Sequence, residues 1–228
     1  MLNLCRKKWS PLINTMQQLT IVWDFNGTLL NDIQACLDSL NVLLRARGLH
    51  PITREYYRDH FGFPVIRFYE ELGLIPVDAE DWENIGESFH MRYLFSKHLQ
   101  LQPHAAETVA ALHQCGIRQG VLSALEQGLL ELQLEQFGLS HQMDFISGSR
   151  SYDGASKADA AAMLQLEHPV VLVGDTEHDA EVAQAQGWHC VLCSAGHQTE
   201  ERLKKWQFPV IQSLAGLLPL LKTQYDLK

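Results

Sequence analysis

The stretch Thr20–Asp32, "TIVWDFNGTLLND", governs how the rest of the chain is read. With Leu19 before it, it opens as an unbroken run of apolar and β-branched residues, the pattern of a strand buried on both faces. The run delivers Asp24 to a turn at Gly27, and Thr28 follows with a hydroxyl and an amide. A carboxylate in that place either caps the turn or attacks phosphorus to form an acyl phosphate, provided a cation offsets its charge. Taken alone, the stretch supports both.

Two further runs resemble it, "RQGVLSAL" (118–125) and "PVVLVGDT" (169–176), and "MDFISG" and "HCVLCSA" are shorter ones of the same kind. Between them lie helical patterns such as "AAETVAALHQCG", "EQGLLELQLEQFG", "KADAAAMLQLE" and "DAEVAQAQG", three of which close on glycine, as helix C-termini often do. Strands alternating with helices predict an α/β fold with a doubly wound parallel sheet, whose ligand site lies beyond the carboxyl ends of the strands. Asp24, Ser123 and Asp175 all fall at such ends.

From about Cys36 to Leu99 the texture changes. Apolar and aromatic residues recur at helical spacing, no strand pattern is evident, and Asp78 is placed to cap the last helix. The expected organisation is an N-terminal extension (1–17), a core (18–35 and 100–228) and an inserted α-helical cap (36–99).

Composition narrows the partners. The 228 residues carry a formal net charge of −9, which disfavours nucleic acid as a general partner. Five scattered cysteines do not form a disulfide framework. Cys190 and Cys193 make a CxxC, but a three-residue offset in a strand sends the thiols to opposite faces. No apolar run reaches membrane-spanning length, and the first residues lack a secretory pattern. A cytoplasmic protein, monomer or homodimer, is expected.

Three later features favour the nucleophile reading of Asp24. Ser123 offers a hydroxyl to a phosphoryl oxygen. Lys157 opens a helix, where the dipole disfavours a cation, so its place is better explained by neutralising a carboxylate and a phosphate. Asp175 and Asp179 in "GDTEHDAEVA" cluster after a buried strand, which suits Mg²⁺ with its preference for oxygen ligands. Asp179 can equally serve as a helix N-cap.

Together, "DFNGTLLND", "VLSAL", "SKADA" and "GDTEHDAEVAQAQG" resemble the four motifs of the haloacid dehalogenase superfamily, and "HFGFPVIRFYEELG" resembles the helical cap of its phosphoglycolate-phosphatase-like members. The resemblance implies a Mg²⁺-dependent phosphatase acting on a small phosphorylated metabolite, phosphoglycolate-like or a sugar phosphate. It assigns Asp24 as nucleophile and metal ligand, with the backbone carbonyl of Asn26 and Asp175 as further ligands. Thr28, Ser123, Ala124 and Lys157 hold the phosphoryl group, and Asp179 orients the metal surroundings or Lys157.

Asn26 departs from the pattern, for family phosphatases carry an aspartate there as general acid and base. An amide orients water but cannot take its proton, and losing positioned acid–base help costs about 10²–10⁴-fold in rate. Four explanations stand open: a substrate whose leaving group needs little protonation; a substitute group, His178 or His60; a protein that binds phosphorylated ligands without turnover; or an engineered or deamidating asparagine. Arg54, Arg58 and Arg67 are candidates to face an anionic substrate from the cap, or simply solvated faces.

Overall fold

The computed structural model describes residues 19–149, 157–167 and 169–224; the expected N-terminal extension, residues 1–17, lies outside them. Strand β1 (Thr20–Trp23) is buried along its whole length, with Ile21 and Trp23 in one hydrophobic cluster and Val22 in another. That division is what a strand does when side chains alternate between two packed faces.

The other strands of the main sheet are β4 (Arg118–Glu126), β5 (Phe145–Ser149), β6 (Val170–Gly174), β7 (His189–Cys193) and β8 (Val210–Ile211). They lie in the order β5-β4-β1-β6-β7-β8, every neighbouring pair parallel. The doubly wound α/β sheet is therefore present, with β1 between β4 and β6. Cys193 packs in the cluster of Ile21, and Cys190 in that of Val22, so the CxxC straddles the sheet as its strand spacing requires. Ser123 corrects one expectation. It does not end its strand, because pairing between β4 and β5 slips after Leu122 and resumes at Glu126 with Ser149.

Four helices follow β1: α1 (Ile33–Ala46), α2 (Arg54–His60), α3 (Val65–Glu71) and α4 (Ala79–Leu94). They bury their own cluster, built around Ile33, Leu40, Leu44, Tyr57, Phe68 and Ile85. Asp78 caps α4 by accepting from the amide of Asp81. The chain enters and leaves this helical unit through a two-stranded antiparallel ribbon, β2 (Leu30–Asn31) and β3 (Gln100–Leu101), which two-residue strands gave no pattern to announce.

The remaining helices include α5 (Ala105–Gln114), α6 (Gln127–Gln136), α7 (Lys157–Met163), α8 (Glu177–Gln186), α9 (Glu200–Leu203) and α10 (Leu217–Gln224). Among the described residues no helix is long and apolar enough to cross a membrane.

The helical unit is tied to the loop after β7. Arg58 donates to the carbonyls of Ser194, Gly196 and Gln198 at 2.6–2.9 Å. Gln198 answers with its amide to the Phe61 carbonyl at 2.9 Å.

Candidate active site

Asp24 follows the last residue of β1, and its amide donates to the Val173 carbonyl on β6, which holds it level with the neighbouring strand. Lys157, the first residue of α7, places Nζ 2.5 Å from Asp24 Oδ1 and also donates to Asp179. All three side chains are buried. Burial pushes the Asp24 carboxyl above its ordinary value, against the opposing charge of Lys157. Burial also works to lower Lys157, but the two carboxylates outweigh it and the ammonium is held firmly protonated. A cation at a helix N-terminus is thus explained by its two anionic partners.

Asp175 follows β6 directly. Its Oδ1 accepts from Thr28 Oγ1 at 2.9 Å and its Oδ2 from the His197 amide at 2.6 Å. Thr28 is therefore committed through its hydroxyl to Asp175 and lies fully buried, not facing the cavity described below. Gly27 has φ +81°, and a Cβ there would stand 2.2 Å from Asp175 Oδ2; glycine alone tolerates both conditions. Asp179 is not the N-cap of α8. That role belongs to Thr176, and Asp179 is its capping-box partner, accepting from the amides of Asp175 and Thr176 while its other oxygen takes Lys157.

Asp24, Asp175 and Asp179 each offer a carboxylate oxygen within 4.8 Å of the others. Burial raises Asp175 well above its ordinary range, with the charges of Asp24 and Asp179 adding to it. An all-oxygen donor set that carries this electrostatic load fits a hard divalent cation.

Asn26 sits beside this group with its amide oriented by neighbours. Nδ2 donates to Asp32 Oδ2 at 2.9 Å and lies 2.7 Å from the Tyr93 hydroxyl, which itself donates to the same oxygen at 2.7 Å. The carbonyl Oδ1 is left toward Ser123 Oγ, 3.5 Å away. Asp32 Oδ1 accepts from the Gly27 amide at 3.0 Å and pairs with His197 Nε2 at 3.0 Å. Burial works to raise Asp32 and to lower His197, yet each charge overrides it in the other. Asp32 stays below its ordinary value, and His197 rises to about 9. Its Nδ1 then donates to Tyr57 OH at 3.1 Å. Cys36 completes the cluster, its thiol pushed well up by burial and by Asp32, so it remains a thiol.

Asp32 and His197 were not among the sequence-derived candidates. Asp32 stood inside the opening stretch, but nothing local shows that it faces Asn26. His197 stood in "SAGHQTEERL", and only the fold carries that loop back to Asp32, 165 residues earlier. The two histidines proposed as substitutes are elsewhere. His178 pairs with Glu181, and His60 stacks on Tyr56 at 3.9 Å; neither lines the cavity. Arg54 and Arg67 are exposed and Arg58 is spent on carbonyls, so none faces it either.

That cavity, about 200 Å³, opens between the strand ends and the helical unit. Its floor includes Asp24, Asn26, Ser123, Ala124 and Lys157.

A family model for haloacid dehalogenase-like hydrolases matches residues 21–193, and the chain belongs to that family. Its fold is shared by a predicted phosphatase from Clostridium acetobutylicum, with TM-score 0.77 and 19% identity over 90% of this chain and 99% of that one. A haloacid dehalogenase-like protein from Streptococcus pneumoniae is similar with TM-score 0.73 and 16% identity, over 90% and 99%. A predicted phosphoglycolate phosphatase from Haemophilus somnus gives TM-score 0.70 and 18% identity, over 90% and 98%. No curated protein matches the chain.

Proposed function

We propose that the protein is a Mg²⁺-dependent phosphomonoester hydrolase acting on a small phosphorylated metabolite, with residues 36–99 as a cap over the site. The observation that carries this reading is the buried contact of Asp24 with Lys157 at the floor of the cavity between the strand ends and the helical unit. Asp24 is the nucleophile: its carboxylate oxygen bonds to phosphorus, and the bond from phosphorus to the leaving oxygen breaks. Lys157 offsets charge on Asp24 and on the phosphoryl oxygens, and Asp179 holds it in place. Ser123 and the backbone at Ala124 receive those oxygens. A Mg²⁺ ion held by Asp24, the Asn26 carbonyl and Asp175 would neutralise charge developing on the phosphoryl group. The Asn26 amide carbonyl accepts from the water that later attacks the phospho-aspartate, orienting it without removing its proton. The cap excludes bulk water.

Asn26 itself favours a second reading, a phosphate-binding protein whose turnover is disabled. Phosphate release with Mg²⁺ from acetyl phosphate and a panel of monoesters separates the two. Release by the native protein that Asp24→Asn abolishes supports the hydrolase. An inert native protein with an active Asn26→Asp variant supports the binder.

A further inference from the structure

The cavity above Asp24 is apolar where a substrate's organic part would lie. Its walls from the helical unit include Phe61, Phe63, Val65, Tyr69, Trp82 and Phe89, with Tyr69 and Trp82 meeting edge to face at 5.9 Å. Among the described residues no arginine lines it. Its charged and hydrogen-bonding groups are largely spent already. Lys157 holds two carboxylates, His197 holds Asp32, and the hydroxyls of Tyr57 and Tyr93 are bonded to His197 and Asp32. Glu126 caps α6 through both oxygens, and His90 Nδ1 is bonded to the Gly86 carbonyl.

Among the described residues a glycolate carboxylate in this space would find no unspent counter-ion, and sugar hydroxyls few free partners, both costly. A single aromatic ring, by contrast, finds edge and face contacts. The volume agrees, since an apolar cavity of about 150 Å³ suffices for benzene.

Asn26 points the same way independently. Without a general acid, the leaving oxygen departs as an anion. A phenolate does so readily, its conjugate acid having a pKa of about 10, whereas an alkoxide is nearly as basic as hydroxide and leaves far less readily. We propose, resting on the phosphatase reading above, that the substrate is a small aryl phosphate monoester whose ring packs against the aromatic wall of the helical unit. The Asp24 oxygen bonds to phosphorus as the P–O(aryl) bond breaks, its electron pair leaving on the phenolate, which takes a proton from water. A second water then attacks phosphorus and the P–O(Asp24) bond breaks, giving inorganic phosphate and the free carboxylate, with the water's proton passing to solvent.

The test measures kcat/KM with Mg²⁺ for phenyl phosphate, 2-phosphoglycolate, glucose 6-phosphate and acetyl phosphate. Phenyl phosphate is expected to exceed the two alkyl esters by about 10²-fold or more, the scale of a missing general acid. Trp82→Ala is expected to lower the ratio of phenyl to acetyl phosphate turnover about three- to tenfold, the scale of one aromatic contact. Phenylphosphonate, which cannot be hydrolysed, should change tryptophan fluorescence in the native protein but not in Trp82→Phe. Preference for either alkyl ester, or release from acetyl phosphate alone, overturns the aryl assignment and leaves the phosphatase standing. Release from none of the four overturns both.

Discussion

Asn26 donates its amide to Asp32, Nδ2 to Oδ2, at 2.9 Å. Asp32 is ionised opposite His197 and can only accept, so the position beside it calls for a donor. A carboxylate at residue 26 would face a second carboxylate at hydrogen-bond distance. The amide is therefore consistent with its surroundings, whatever it withholds from the chemistry.

Asn26→Asp accordingly trades stability for activity. Turnover of alkyl phosphates should rise about 10²-fold or more. Stability at pH 8, from urea unfolding, should fall by about 1–3 kcal/mol as a buried hydrogen bond becomes a repulsion. A variant as stable as the native protein would show that the Asp32 contact is not what the amide serves.

The His197–Asp32 pair predicts a pH window. His197 rises from 6.5 to about 9 on folding, so its contribution is full below pH 6.5 and fades as pH climbs through 9. Asp32 is lowered from 3.8, so its contribution holds above that value and is lost as pH falls through the lower, folded one. Unfolding free energy of the native protein should drop between pH 7 and 10. His197→Gln should lose about 3–5 kcal/mol at pH 7, the scale of breaking a buried pair, and much of its alkaline slope.

Lys157→Met leaves Asp24 and Asp179 buried without their cation. Loss of turnover together with about 3–5 kcal/mol of stability at pH 8 is expected. Acid should recover part of the stability, because protonation removes the unpaired charges. Equal losses at pH 5 and pH 8 would contradict this.

Mg²⁺ should raise the melting temperature, with a stabilisation of about 2.7 kcal/mol at a hundred times its dissociation constant. Protons compete for Asp24 and Asp175, whose carboxyls burial holds high, so the shift should shrink as pH falls. Asp175→Asn should abolish it. A Mg²⁺ effect that survives in this variant places the ion elsewhere.

The order of strands and helices, the buried run at Thr20–Trp23, the capping role of Asp78 and the split faces of Cys190 and Cys193 were legible in the chain. Each depends on local periodicity or on a short-range cap, and such patterns survive in one dimension. Asp24 and Asp175 stand directly after buried strands as their runs predict, because a doubly wound sheet collects its strand ends on one side, while Ser123 lies within β4 and Lys157 opens α7. That the Thr28 hydroxyl goes to Asp175, and that Thr176 and not Asp179 caps α8, are contacts only the folded chain shows.

What the sequence alone determined about Asn26 was a missing acid. Only the tertiary structure showed what stands beside it. Asp32 arrives from the same stretch, Tyr93 from the helical unit and His197 from the loop after β7, and long-range packing brings them within about 3 Å of their partners. The aromatic wall likewise belongs to no motif. Phe61, Trp82 and Phe89 read only as core periodicity along their helices and loop, since a residue that lines a cavity and one that fills a core follow the same spacing.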